Sequence, residues 1–442
     1  MEFLEKRFRL HENGTNVKTE LAAGLTTFMT MAYILIVNPS ILSATGMDSG
    51  ALLTATAVAA FLGTLFMSLF ANYPFALAPG MGLNAYFAYT VVLQYGYSWQ
   101  MALAAVFVEG IIFILLSVTS VREAIFNSIP QTLKTATSVG IGLYIAFIGM
   151  QNAGIVVAES STLVALGDVK SLPVALALIG TVITVTMVIR KVKGALLWGI
   201  LITYGLGLIC QGMGLYVVDE ANVSLVPGGV VALPPSILPV FGKMDFSNIL
   251  SLEFATVIFS FLFVDLFDTL GTLIGVSTKA GFLDKNGRLP RIKGALLADA
   301  CATTAGAVLG TSTVTTFVES ASGVTDGGRT GLTSLTTAVL FLLALFFSPI
   351  ITAIPSFATT PALITVGLFM IESVVKIDFS DYTEGFPAFL NILMMVVCYS
   401  ISEGLVFGVL SYVILKVLSG RRKELSPVII VIAVLFFLKL IL

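Results

Sequence analysis

The sequence is poor in the residues that many catalytic and metal sites use. Its 442 residues include one histidine and three cysteines. The histidine, His11, precedes the first apolar segment, so a His-based triad or zinc site cannot form inside the apolar part of the chain. The cysteines, Cys210, Cys301 and Cys398, lie in separate apolar segments without metal-ligand spacing. We therefore expect small core cysteines, no metal and no other cofactor, and a protein that is not an enzyme.

Charged residues are also scarce. Soluble chains carry roughly 25% charged residues, whereas this chain has 11%, with 57% hydrophobic residues and a mean hydropathy of +1.01. The largest basic cluster is Arg421–Arg422–Lys423, so no nucleic-acid partner is expected. A helix that crosses a bilayer needs roughly 20 apolar residues, and the chain divides into about fourteen such segments. The composition predicts an all-α polytopic membrane protein with the lipid bilayer as its surroundings.

The predicted segments are joined by short connections. With the N-terminus in the cytoplasm, all 23 basic residues fall on the inner side except Lys170, Lys243 and Lys439. This bias predicts a multi-pass protein of the plasma (inner) membrane with a cytoplasmic N-terminus. A last apolar run, 426–442, either spans the membrane or lies on its surface. The segments are 21–43, 51–71, 78–95, 100–118, 133–154, 172–189, 195–213, 249–276, 292–309, 311–325, 330–354, 360–375, 385–401 and 403–419.

Segments three and ten do not read as ordinary membrane helices. Segment three contains Ala76–Thr90, where a proline and two glycines precede Asn84. Segment ten lies within Gly310–Gly331, a stretch rich in Ser, Thr and Gly with Glu319 in its middle. Interrupted helices in corresponding positions of two halves indicate a transporter binding site. Segments five and twelve, and seven and fourteen, are similar at the same offset of seven, and because seven is odd these pairs predict an inverted repeat.

Four carboxylates inside predicted segments are candidates for proton coupling: Asp265, Asp268, Asp299 and Glu319. Asp265 and Asp268 are three residues apart in segment eight, which predicts that both lie on one helical face. No Lys or Arg falls at the centre of a segment, so these acids are expected to lack basic partners and at least one should carry a proton. Sodium coupling remains open, because carboxylates and hydroxyls such as Thr269 could also coordinate Na⁺.

The groups near the two interruptions favour a planar ligand with hydrogen-bonding edges. Asn84 supplies a donor and an acceptor, and the interrupted backbone supplies free N–H and C=O groups. Tyr86, Phe87 and Phe317 offer flat apolar faces, and a carboxylate can accept two N–H donors side by side. This combination of acids, amide, backbone and aromatic rings predicts a site for a heterocycle.

Several long stretches resemble one transporter family over nearly the whole chain. The family is the purine-specific (adenine/hypoxanthine/guanine permease) branch of the nucleobase–cation symporter-2, or nucleobase–ascorbate transporter, family. The stretches are NGTNVKTELAAGLTTFMTMAYILIVNPSIL, NYPFALAPGMGLNAYFAYTVV, FLFVDLFDTLGTL, LLADACATTAGAVLGTSTVTTFVESASGV and GGRTGLTSL.

The resemblance implies 14 transmembrane segments arranged as two inverted seven-span repeats. A core domain, spans 1–4 and 8–11 (residues 1–131 and 249–355), would rock against a gate domain, spans 5–7 and 12–14 (residues 132–248 and 356–442). Spans 3 and 10 would each contain a short strand, and the two strands would pair beside the substrate. Because this fold often forms dimers, a homodimer remains open.

The family's site residues map onto this sequence by motif. The span-eight acid that bonds the base falls on Asp265, and the span-ten glutamate falls on Glu319. The span-three strand falls around Asn84–Ala85, and the span-ten strand is expected at Thr316–Val318. Asp268 belongs to the LFDT motif of the purine branch, which leaves open whether it or Asp265 touches substrate. The implied substrate-binding set is Asn84, Ala85, Asp265, Asp268, Phe317, Val318 and Glu319.

These observations predict a secondary active importer of purine nucleobases (adenine, or hypoxanthine and guanine) driven by proton symport. An anion carrier of the sulfate or bicarbonate type shares the fold, but it should show basic character at the interruptions, where Glu319 stands. An intramembrane aspartyl protease needs its two acids on different helices, and Asp265 and Asp268 share one.

Overall fold

The computed structural model of the chain describes residues 2–119, 121–216, 218, 224–247, 249, 251–284 and 289–441. Parts of the connection 214–248, between segments seven and eight, and the predicted inner-side residues Lys285 and Arg288 lie outside these ranges. The described chain is mostly helical, with four short strands. Its helices are α1 (Glu2–Phe8), α2 (Val17–Met31), α3 (Ile34–Leu42), α4 (Ser49–Phe66), α5 (Met81–Ala85), α6 (Trp99–Val118), α7 (Val121–Ser128), α8 (Gln131–Asn152), α9 (Leu172–Ile189), α10 (Ala195–Gly212), α11 (Leu252–Ala280), α12 (Ile292–Leu309), α13 (Ser320–Thr325), α14 (Gly331–Ala344), α15 (Ser348–Ala353), α16 (Ser356–Ile371), α17 (Tyr382–Val397), α18 (Ile401–Leu418) and α19 (Pro427–Ile441).

Eleven helical stretches in the described residues are long and apolar enough to cross a membrane. Two shorter apolar helices, Tyr382–Val397 and Pro427–Ile441, accompany them. The protein is therefore a multi-pass membrane protein, as its composition predicts. The eleven stretches are Val17–Thr45, Ser49–Ala71, Trp99–Val118, Gln131–Asn152, Leu172–Ile189, Ala195–Gly212, Phe254–Thr278, Ile292–Leu309, Gly331–Ala353, Ser356–Lys376 and Ile401–Leu418.

The two segments predicted to be irregular are interrupted by strands. Strand β1 (Leu77–Pro79) precedes α5 and a π-helical stretch, Tyr86–Gln94, and strand β4 (Val314–Thr316) precedes α13. The other two strands, β2 (Val156–Glu159) and β3 (Leu163–Leu166), form an exposed hairpin between α8 and α9. The polar backbone of β1 and β4 lies at buried positions, which is tolerated within a membrane protein only where other protein groups satisfy it.

The long helices pack in two groups. In one group α12 packs on α4 and α6, α14 packs on α2 and α4, and α11 packs on α6. In the other group α16 packs on α8, α9 and α10, and α17 packs on α8 and α18. Strands β1 and β4 contact members of the first group. On one side of the molecule an ion pair between Lys193, before α10, and Asp326, after α13, joins the two groups.

Helices α7 and α19 lie outside this two-group scheme. The short helix α7 connects α6 to α8, contacts α11 and packs against α19. Helix α19 packs on α18, and its Phe436 ring meets Phe259 and Phe263 of α11 at centroid distances of 5.3 and 5.4 Å. Helix α19 therefore contacts a helix of each group.

Candidate functional site

Strands β1 and β4 form a two-stranded antiparallel sheet in the interior. Their register aligns Leu77 with Thr316, Ala78 with Thr315 and Pro79 with Val314. The ladder continues past the strand ends, where the Gly80 amide donates to the Thr313 carbonyl (3.0 Å). The prediction of paired short strands in segments three and ten is therefore correct, but their positions are not. Residues 84–85 are helical, and the second strand ends at Thr316.

A cavity of about 620 Å³ lies between the two helix groups, beside these strands. On one side α11, Gly80 and the stretch Thr315–Glu319 line it, and on the other side α8 and α16 do. The α11 residues that face it run from Phe267 to Thr278, a rise of about 17 Å along the helix. Asp268 and Glu319 lie near the strands, and Lys134 and Lys376 lie at the beginning of α8 and beyond the end of α16.

Glu319 is the acid at the end of the interrupted tenth segment. It occupies the N-cap position of α13, just after the turn that follows β4, and its residue is 9% exposed. The Tyr33 hydroxyl donates to Glu319 Oε1 over 2.7 Å. Tyr33 is fully buried at the junction of α2 and α3. Apart from the backbone N–H of Glu319 itself, Tyr33 is the one donor to this carboxylate among the described residues, and the side chain lies at the wall of the cavity.

Asp268 reaches the cavity beside the strand pair. A Cβ atom at Gly80 would lie 2.6 Å from Thr315 Oγ1 and 3.2 Å from Asp268 Oδ2. Position 80 therefore has room only for glycine between the strand and the carboxylate. This close approach brings a backbone segment, a hydroxyl and an acid together at one wall of the cavity.

Asp265 and Asp299 do not line the cavity. Nη2 of Arg122, on α7, lies 3.1 Å from Asp265 Oδ2 and 2.8 Å from Asp299 Oδ2, and all three side chains are fully buried. The guanidinium also stacks over the Phe113 ring at 3.8 Å, and the Thr269 hydroxyl lies 2.8 and 2.9 Å from the two carboxylates. The expectation that the buried acids lack a basic partner is therefore wrong for Asp265 and Asp299.

The two aspartates of α11 consequently face different surroundings. Asp268 borders the cavity, whereas Asp265 points toward α12 and Arg122. Two side chains three residues apart on a helix point in directions about 60° apart. At this position that angle is enough for Asp268 to face the cavity while Asp265 faces a packed helix interface. The pair does not act as one unit on one face, contrary to the expectation from spacing.

A further buried acid supports the strand from behind. Glu109 of α6 is fully buried, and its Oε2 accepts a hydrogen bond from Thr313 Oγ1 over 2.8 Å. Thr313 directly precedes β4 and bonds Gly80 through its carbonyl. Glu109 thus fixes the segment that leads into the strand.

Asn84, Ala85, Tyr86 and Phe87 are fully buried and are not among the lining residues of the cavity. The Asn84 side chain accepts a hydrogen bond from Ser312 and so ties α5 to the segment before β4. Phe87 and Tyr86 pack against Phe261. Of the predicted substrate-binding residues, the structure brings Asp268, Phe317, Val318 and Glu319 to the cavity and leaves Asn84, Ala85 and Asp265 behind it.

Two residues of this arrangement were not anticipated from the sequence. Arg122 falls in the connection after segment four, where the charge pattern assigns it to the inner surface. Tyr33 lies in a long apolar run with nothing to distinguish it from a packing residue. Of the two, only Arg122 could have been inferred from the sequence, because several buried acids need a cation close to them.

The fold and the cavity together define a membrane transport protein with two interrupted segments meeting at its site. Residues 18–438 match the permease family of xanthine/uracil permeases. The chain belongs to this family.

Relatives within the family match the chain along its full length. A putative permease of Methanocaldococcus jannaschii is 51% identical and covers 100% of this chain and 99% of its own length. The guanine/hypoxanthine permease PbuO of Bacillus subtilis is 46% identical (98% of this chain, 99% of that protein). The adenine permease AdeP of Escherichia coli is 42% identical (99% and 96%).

Solved structures share the fold at low sequence identity. The transmembrane domain of the cyanobacterial bicarbonate transporter BicA aligns with a TM-score of 0.61 at 17% identity, covering 89% of this chain and 97% of that one. The anion transporter SLC26A9 aligns with a TM-score of 0.62 at 12% identity, covering 90% and 66%. The arrangement of helices predicted to be shared with anion carriers is confirmed at the level of fold.

Proposed function

We propose that the protein imports purine nucleobases across the plasma membrane by proton symport. The family, and its members named as adenine and guanine/hypoxanthine permeases, support purine nucleobases as the substrate class. The observation that carries the proposal is the pair of carboxylates, Asp268 and Glu319, on the wall of one cavity beside a strand pair. Purine edges carry N–H donors and ring-nitrogen acceptors, which carboxylates and backbone groups can match.

Glu319 and Asp268 have different roles in this proposal. Glu319 receives a hydrogen bond from Tyr33, which stabilises its negative charge and suits it to accept N–H groups of the base. Asp268 has no ion-pair partner among the described residues and borders the same cavity, so it is the acid we assign to the transported proton. Phe317 and Val318 line the cavity next to them and would contact the ring.

Asp265 and Asp299 have a supporting role in this proposal. Their contacts with Arg122 balance charge at buried positions that do not line the cavity, so the proposal gives Asp265 no substrate contact. Asn84 and Ala85 hold the strand segment and do not touch the base. The substrate-binding set becomes Asp268, Phe317, Val318 and Glu319.

The transport motion proposed is a rocking, elevator-like movement of a core domain against a gate domain. Fourteen spans form two inverted repeats, with residues 1–131 and 249–355 in the core and 132–248 and 356–442 in the gate. The separate packing of the two helix groups supports this division, because most helix contacts lie within one group or the other. A cytoplasmic N-terminus would open the Lys134 and Lys376 end of the cavity toward the cytoplasm.

Uptake and binding measurements test the proposal. Cells expressing the protein should accumulate radiolabelled adenine, hypoxanthine or guanine, and a protonophore should abolish accumulation. A panel of unlabelled bases competing with one labelled purine identifies which purine is preferred. Accumulation that requires sodium, or transport of bicarbonate or sulfate without purines, would contradict the proposed symport.

A further inference from the structure

The first segment holds the tenth segment at two points. Tyr33 donates to Glu319 Oε1, and Asn38 Nδ2 donates to Thr311 Oγ1 (3.0 Å) and Thr56 Oγ1 (2.7 Å). Both donors are fully buried. The two contacts bracket β4, one before the strand and one after it.

Tyr33 occupies a break in its own helix. Helix α2 ends at Met31 and α3 begins at Ile34, so Tyr33 lies at the junction of two helical pieces. Its ring is fully buried and is not among the lining residues of the cavity. Any effect of Tyr33 on a ligand in the cavity must therefore pass through the residue it contacts.

The residue that Tyr33 contacts, Glu319, has a flexible side chain and lies at the wall of the cavity. A glutamate has several side-chain rotamers, and ordering such a side chain on ligand binding costs conformational entropy. Tyr33 is the only side chain that donates a hydrogen bond to Glu319 among the described residues. Fixing one oxygen in advance lowers the entropic cost of presenting the other oxygen to a ligand.

We propose that Tyr33 is a positioning residue for substrate binding, which holds Glu319 Oε1 so that the other carboxylate oxygen accepts an N–H group of the base. This inference rests on the proposed function, since it assigns a task to the same site. Tyr33 touches no substrate itself. It sets the affinity of the site rather than the rate of the transport motion.

The test removes one hydroxyl. Purified wild type and Tyr33→Phe are compared by calorimetric binding of adenine, hypoxanthine and guanine and by uptake in proteoliposomes. We expect the Kd and the KM to rise about tenfold, equivalent to about 1.4 kcal/mol, with the maximal rate unchanged and the thermal unfolding midpoint lowered no more than by Tyr204→Phe. Tyr204→Phe is the matched control, because its hydroxyl also donates to one buried acceptor, the Leu225 carbonyl, in the other helix group.

N-methylated purines add a readout that a purely structural role would not move. Methylation at the N–H that Glu319 accepts should cost less affinity in Tyr33→Phe than in the wild type, because the methyl group removes the hydrogen bond that Tyr33 strengthens through Glu319. Equal Kd values for wild type and Tyr33→Phe, or additive losses for every methylated base, would overturn the inference alone. Failure of the wild type to bind any purine would overturn the proposed function and the inference together.

Discussion

Arg122 and Asp299 form a fully buried ion pair at 2.8 Å, between the short helix α7 and the membrane-spanning helix α12. The same nitrogen of Arg122 also contacts Asp265, so one cation serves two carboxylates. Breaking a buried ion pair by removing one partner typically costs about 3–5 kcal/mol, because the remaining charge is left unpaired. Arg122 is therefore expected to contribute more to the stability of the protein than its position in the connection between α6 and α8 suggests.

Arg122→Met should lower the thermal unfolding midpoint in detergent and abolish uptake, since two buried carboxylates lose their cation. Arg122→Met combined with Asp299→Asn removes one charge of each sign and should recover a large part of the stability. Arg190→Met, at an exposed position after α9, is the control. A double variant as unstable as Arg122→Met alone would show that charge balance does not determine the stability of this region.

Glu319→Ala should abolish uptake while the protein still reaches the membrane. Each hydrogen bond to a charged group contributes roughly 1.5–3 kcal/mol, so purine affinity should fall by at least about tenfold. Glu372→Ala, in an exposed turn after α16, should bind normally. Calorimetric binding measures the change, and near-normal affinity of Glu319→Ala would remove Glu319 from the site.

Asp268→Asn should retain purine binding but lose concentrative uptake. The amide keeps the size and hydrogen-bonding capacity of the side chain and cannot cycle between charged and neutral forms. Proteoliposomes with an alkaline interior and no sodium provide the measurement, and wild type should accumulate purine there. Proton-driven accumulation by Asp268→Asn at the wild-type level would mean that another group carries the proton.

Gly80→Ala should weaken purine binding, because the added methyl group would lie 2.6 Å from Thr315 Oγ1 and 3.2 Å from Asp268 Oδ2. Overpacking of this kind costs about 1–3 kcal/mol, here at the wall of the cavity. Gly205→Ala, where no heavy atom lies within 4 Å of the added methyl group, is the matched control. If Gly80→Ala binds purines as tightly as Gly205→Ala does, the strand and Asp268 accommodate the added methyl group without a loss of purine affinity.

Val318→Pro should impair uptake far more than Val318→Leu. Val318 lies in the turn between β4 and α13 and is 47% exposed at the cavity. Proline removes the backbone N–H and restricts the preceding residue, Phe317, whereas leucine keeps the backbone unchanged. Uptake assays with matched expression distinguish the two, and equal losses would assign the effect to the side chain.

The sequence was sufficient for the features that follow from periodicity and composition. Long apolar segments and the two interruptions could be located because polar residues and glycines at membrane depth have few explanations. The strand boundaries were missed by several residues, because Pro79 and Gly80 mark where the strand ends and not where it begins. Register between distant segments depends on packing that no local pattern encodes.

The division between Asp265 and Asp268 could not be predicted for a related reason. Helical spacing gives the angle between two side chains but not what each one meets. That depends on Arg122, which folds back from a different part of the chain. Nothing in the sequence pattern indicates the role of Tyr33. A tyrosine in an apolar segment gives the same pattern whether its hydroxyl donates to a carboxylate or to a backbone carbonyl.

The pairing of β1 with β4 also has a consequence for biosynthesis. Leu77 emerges from the ribosome long before its partner, Thr316. At roughly 5–20 residues per second, the roughly 240 residues between them take about 10 to 50 seconds to synthesise. During this interval the backbone groups of β1 that bond to β4 have no partner strand, although Thr64 of α4 can already bond both backbone groups of Leu77. Leaving the remaining groups unsatisfied in lipid would cost several kcal/mol per group. We therefore expect the first half of the nascent chain to remain in a hydrated environment, or beside the insertion machinery, until the second half is synthesised.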